Sequence, residues 1–106
     1  MDNEALKQVF KSLHAKIIRK VDPDSAIDEL FAKGVINDDN YEELFSVPDP
    51  RSRSRKLLTL VHRSAHPETF IHLRLALLDE YPEIVDEIDE EVTSLTTHQP
   101  QLQQLQ

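Results

Sequence analysis

Pro23, Pro50, Pro67 and Pro82, four of the chain's six prolines, each open a stretch whose apolar residues recur at helical spacing. A proline fits the first turn of a helix, where its missing N–H has no partner to lose, and it blocks a helix arriving from upstream. These positions cut the chain into lengths suited to short helices. Asp22 and Asp49 precede two of the prolines as N-caps, and "NDDNYEELF" adds a short helix capped by Asn37 with acids in its first turn. That helix stops before Pro48. Gly34, the single glycine, ends the helix that Pro23 begins. With "NEALKQVFKSLHAKIIRK" in front, the reading is six helices and no strand.

The apolar pattern adds detail. Leu6, Val9, Phe10, Leu13 and Ile17 share one face of the first helix, but a straight helix would turn Ile18 outward and bring Lys20 onto the stripe. A bend around Ala15–Lys16 repairs both. In the fifth expected helix Phe70, Leu73 and Leu77 lie on one side and Ile71, Leu75 and Leu78 on the other, which predicts a central helix with neighbours on both flanks. Arg74 falls between the two sets and must reach water or a carboxylate. The sixth carries Ile84, Val85, Ile88, Val92 and Leu95 opposite its acids.

What is missing from the composition narrows the function. The 106 residues suffice for one domain. With no cysteine there is no disulfide, thiolate nucleophile or cysteine-held zinc. One glycine cannot build a phosphate-cradling loop. No apolar run approaches the ~20 residues of a membrane span, and the acidic start "MDNEALKQVF" does not read as a signal peptide. A cytoplasmic protein without membrane attachment is the expectation. His62, His66 and His72 suggest a metal site, but Pro67 interrupts the helix that would align the first two, so no metal is expected. No nucleophile stands beside a base, so neither catalysis nor a cofactor is expected. Residues 1–95 read as the helical domain and the Gln-rich, uncharged residues 96–106 as a linker or tail. The chain then reads as an N-terminal module with an effector region downstream.

Charge is the feature left to explain. The formal net charge is −8, yet residues 1–20 carry +3 and residues 50–66 carry +5, while residues 21–49 and 67–106 carry −8 each. Leu57, Leu58, Leu60 and Val61 face one way in the fourth expected helix, with Arg55, Lys56 and Arg63 projecting elsewhere. Lys7, Lys11, Lys16 and Arg19 likewise lie off the first helix's stripe. A basic surface and an acidic surface on one molecule suit head-to-tail association, which builds open assemblies rather than closed dimers. Two other uses of the charge are a solvated face and, for the Arg51–Lys56 cluster, nucleic-acid binding. The strongly acidic flanks and the lack of interleaved aromatics weigh against nucleic acid.

At "AIDELFAKGVINDDNYEELFSVPDPRSRSRKLLTLV", residues 26–61, the chain resembles a caspase recruitment domain, a branch of the death-fold superfamily. The stretch is similar to that family's leucine-rich second helix, its Gly-Val loop, an acidic or aromatic third helix and a fourth helix that opens on basic residues. "ETFIHLRLALLDEYPEIVDEI" resembles the fifth and sixth. The resemblance covers residues 5–91, and it rests on order and spacing rather than on one diagnostic residue. It departs at Ser64-Ala65-His66-Pro67, where the family often has a Lys-Gly pair. The bent first helix and the proline-led fourth helix favour this branch over the death-effector and pyrin domains.

The resemblance implies an all-α, six-helix antiparallel Greek-key bundle with a bent first helix. It implies a non-enzymatic homotypic interaction module for apoptotic, inflammatory or NF-kappa-B signalling, with filament formation as one mode of assembly. The partner would be another caspase recruitment domain, of this protein or a different one. Carried over by position, Lys7, Lys11, Arg19, Arg53, Arg55 and Lys56 would be the basic donors. Asp24, Asp28, Glu29, Asp39, Glu42 and Glu43 would be the acidic acceptors.

Overall fold

A computed structural model describes the backbone of residues 2–104 and the side chains of residues 2–95. Among the described residues there are seven helices and no strand: α1 (Asn3–Ser12), α2 (His14–Lys20), α3 (Asp24–Ala32), α4 (Asp38–Phe45), α5 (Pro50–His62), α6 (Thr69–Leu78) and α7 (Pro82–Gln104). The count is seven rather than six because residues 3–20 form two helices. Leu13, at φ −95° and ψ 11°, separates them. The interruption falls earlier than the expected Ala15–Lys16, and beyond it Ile18 is buried while Lys20 is exposed. Residues 96–104, expected to be linker or tail, continue α7 as helical backbone.

Most helix starts follow from the local sequence. Asp2 caps α1 by accepting from the N–H groups of Glu4 and Ala5. Asn37 and Asn40 exchange side-chain-to-backbone bonds in a capping box on α4. Asp49 accepts from the Ser52 N–H at 2.9 Å, with Pro50 in the first turn of α5. Asp22 stands one residue outside the N-cap position, which Pro23 takes, yet its carboxylate still accepts from the Asp24 N–H at 3.0 Å. Gly34 follows the end of α3 with φ +74°, and the Val35 N–H returns to the Leu30 carbonyl at 2.9 Å.

The helix expected from Pro67 begins two residues later. Pro67 and Glu68 form a turn, and no side chain caps α6 from its N-cap residue Glu68. The Phe70 N–H instead donates to Asn3 Oδ1 at 2.9 Å, so the start of α1 satisfies the start of α6.

Leu6, Phe10, Ile27, Leu30, Leu44, Val61 and Ile88 are fully enclosed in one core. Phe10 meets Phe70 with ring centroids 5.6 Å apart. The main packing partners are α3 with α6, α1 with α6 and α7, and α2 with α5. The two buried polar residues Ser54 and Thr69 are satisfied: Ser54 donates to the Val21 carbonyl at 3.2 Å and Thr69 to the His66 carbonyl at 3.0 Å. As expected of a central helix, α6 packs against α1, α3 and α7, but its second apolar set is only partly covered. Phe70, Leu73 and Leu77 are buried, but Leu75 and Leu78 remain exposed. Arg74 between the two sets forks onto Asp89 of α7, Nε to Oδ1 and Nη2 to Oδ2, each at 2.7 Å.

Candidate functional site

The two charged surfaces expected from sequence lie on different helix pairs, and the structure divides their residues into engaged and free. Arg53 is engaged. Its side chain is 12% exposed. Nε and Nη2 donate to the Val47 carbonyl at 3.2 and 2.7 Å, and Nη1 meets Asp24 Oδ1 at 2.7 Å. Its guanidinium carbon sits 5.5 Å from the centroid of the Phe45 ring. Arg53 thus binds the start of α5 to α3, to the α4–α5 loop and to the end of α4. Lys56, one turn on, reaches Glu43 of α4 at 3.3 Å. These two cations and two acids meet inside the chain.

The free cations form a different strip. Lys7, Lys11 and His14 line one side of a shallow groove, and Thr59, His62 and Arg63 line the other. Arg55 is exposed one turn before Thr59, whose hydroxyl donates to the Arg55 carbonyl at 2.9 Å. None of Lys7, Lys11, Arg55 or Arg63 makes an ion pair among the described residues. Arg19 is also exposed and unpaired but lies apart, near Arg51 and Lys20 where α2 ends and α5 begins. Lys16 is taken by Glu87 of α7 at 2.6 Å.

At the groove floor the His62 ring packs 4.9 Å from Phe70, and its Nε2 is buried without a hydrogen-bond partner. Burial holds the His62 pKa below its ordinary value, and the positive charge of Lys7, His14 and Lys11 pushes it the same way. Asp49, capping α5, is held below the usual carboxylate range by the Ser52 hydrogen bonds and then by the nearby charges of Arg51 and Arg55.

The acidic surface is built on α3 and α4. Glu29, Asp39 and Glu42 are exposed and make no ion pair among the described residues. Asp28 accepts from the Tyr41 hydroxyl at 2.9 Å, which fastens α4 to α3. That bond holds the Tyr41 phenol above its usual range, with burial and the negative charge of Asp28 and Asp24 acting in the same direction. Three aromatic residues absent from the sequence-based site run through this surface. Phe31 lies 4.6 Å from Tyr41, and Tyr41 lies 4.9 Å from Phe45, centroid to centroid. The Tyr41–Phe45 spacing of one turn is visible in "NDDNYEELF"; the approach of Phe31 is not.

Among the described residues no group of three or more histidines and acids is placed to hold a metal ion, and no helix is long and apolar enough to cross a membrane. The arrangement offers two exposed surfaces of opposite charge.

The family model for the caspase recruitment domain matches residues 7–91. Caspase recruitment domain-containing protein 6 of Homo sapiens is 37% identical over 62 residues, covering 58% of this chain and 6% of that protein. The matched stretch is therefore a small part of that relative's length. No solved structure matches the chain.

Proposed function

The chain belongs to the caspase recruitment domain family, whose members are homotypic interaction modules, and on that premise we propose that it assembles with another such domain by charge pairing. Lys7, Lys11, Arg55 and Arg63 form the basic donor surface, with Arg19 a further donor that lies apart from it. Asp28, Glu29, Asp39 and Glu42 form the acceptor. The observation that carries the reading is that the cations of the α1–α5 strip make no ion pair among the described residues. Arg53 and Lys56, with Asp24 and Glu43, hold the domain together instead and take a supporting role.

The donor and acceptor surfaces of one copy cannot meet each other, so each copy extends the assembly and open filaments are the natural product. The partner is a second copy or another protein's caspase recruitment domain, and the setting is cytoplasmic signalling for apoptosis, inflammation or NF-kappa-B activation. The module is non-enzymatic and binds no cofactor. In this reading α1 and α2 are the two halves of the family's single bent first helix, which makes the fold its six-helix Greek-key bundle. Residues 1–95 are the domain, and 96–106 are its linker or tail.

Salt tests the reading. Exposed charges more than ~8–10 Å apart are screened at physiological ionic strength. Light scattering should show assembly at low salt that weakens steadily as salt is raised. Assembly indifferent to salt would overturn charge pairing. Nucleic acid is the competing partner for the basic residues, and its site would be the Arg51–Lys56 cluster. Two of that cluster's cations are already bound to Asp24 and Glu43, which disfavours it. Binding of DNA or RNA by the domain at physiological salt, weakening as salt is raised and lost on Arg51→Ala, would restore it.

A further inference from the structure

Phe31, Tyr41 and Phe45 stand in contact across α3 and α4, with Phe31 39% and Phe45 36% exposed. Three touching rings make a contiguous apolar patch rather than scattered surface residues, and such patches mark binding surfaces. Carboxylates surround this one. Asp28 accepts from the Tyr41 hydroxyl, Asp38 stands one turn before Tyr41, and Glu42 stands one turn before Phe45. Ring faces and carboxylates attract the same visitor, a cation. The flat guanidinium suits both, because it stacks on a ring while its edge donates to carboxylates; a lysine ammonium does not stack. The chain contains an example of this contact: Arg53 lies over Phe45 while donating to Asp24.

We propose that this aromatic ladder is a platform for an arginine, and that its occupant is Arg55 from a second copy of this chain. The proposal rests on the charge-paired docking described above and adds that the docking selects arginine over lysine. Arg55 is exposed and makes no ion pair among the described residues of its own chain. Its strip carries Lys7, Lys11 and Arg63, which complement Asp28, Asp38 and Glu42 around the ladder.

A binding cycle between single-faced copies tests it. A Glu42→Lys copy serves as donor, with only its basic surface usable. An Arg55→Glu copy serves as acceptor, with only its acidic surface usable. Calorimetry reads the one remaining contact. Replacing Arg55 by Lys in the donor should weaken binding roughly 3- to 30-fold, the range of a cation–ring contact. Phe31→Leu in the acceptor should do the same, and the two together should cost no more than the larger single loss. Phe31→Leu placed in the donor copy should leave binding unchanged, which shows that the fold is intact.

A lysine donor that binds as well as the arginine donor overturns the platform and leaves charge pairing standing. Losses that multiply independently also overturn it, because Phe31 is then not read by Arg55. Equal loss with Phe31→Leu in either copy marks damage to the fold and removes the platform as the cause. Failure of the two single-faced copies to bind at all sinks charge pairing between copies, and the platform with it.

Discussion

Arg53 carries the same charge as Arg55 two residues away, yet the two should answer substitution in opposite ways. Truncating Arg53 to Ala removes both donors from the Val47 carbonyl, where hydrogen bonds to a charged group contribute about 1.5–3 kcal/mol each before water compensates. The Asp24 bridge adds about 0.2–1 kcal/mol, since Asp24 is 49% exposed and readily rehydrated. The stem and its Phe45 contact are also lost. Allowing for water at Val47, Arg53→Ala should destabilise the domain by about 2–4 kcal/mol. Arg55→Ala, at an exposed position, should stay within about 0.5 kcal/mol of the parent. Arg53→Lys should recover little, because an ammonium cannot fork between Val47 and Asp24. Urea unfolding followed by circular dichroism reads all three as midpoint shifts with unchanged slope. If Arg53→Ala shifts stability by less than about 0.5 kcal/mol while abolishing assembly, Arg53 faces a partner and the supporting role assigned to it is wrong.

Three more outcomes come from the packing. Leu58→Ala and Leu77→Ala, each at a residue 2% exposed, should cost about 2–5 kcal/mol in the same unfolding assay; a cost below ~0.5 kcal/mol would mean that α5 or α6 is rotated. Arg74→Met should cost no more than about 1 kcal/mol, because Asp89 is 32% exposed and can be rehydrated; a larger loss would show that the pair is effectively buried. His62, held below its ordinary value of 6.5 in the fold, leaves the unfolded chain binding more protons, so stability should fall as pH drops through 6.5 toward the depressed folded value. His62→Leu should flatten that limb in pH-dependent melting, and an unchanged limb would assign it to another group.

Most of the helical framework was legible because caps, prolines and the lone glycine act within a few residues of themselves. Asn37, Asp49, Pro50, Gly34 and Pro82 all stand where local chemistry puts them. The errors are non-local. Apolar spacing registers a shift of helical face only after it has accumulated, so the mismatch at Ile18 and Lys20 points to Ala15–Lys16 although the interruption is at Leu13. The start of α6 depends on Asn3, 67 residues away. A wide apolar arc does not reveal how completely its neighbours cover it: α6 packs against α1, α3 and α7, yet Leu75 and Leu78 stay exposed. Segment charges reveal that cations and acids cluster apart, but they do not show which cations also pair within the chain. The intramolecular pairs Arg53–Asp24 and Lys56–Glu43 are not visible in the sequence because each joins residues on different helices. The aromatic ladder escapes the sequence because Phe31 meets Tyr41 only after α3 and α4 pack.

The proposed acid–base docking of Arg55 on the Glu42 surface is tested most directly by mixing charge reversals. Both residues are exposed and make no ion pair among the described residues, so Arg55→Glu and Glu42→Lys should keep the parent's helicity and melting temperature. In light scattering each variant alone should remain monomeric under conditions where the parent assembles. Mixed in equal amounts, they should form dimers and no filaments, because each retains one usable surface. Arg55→Glu assembling as well as the parent would contradict the docking and leave the basic strip as a solvated face.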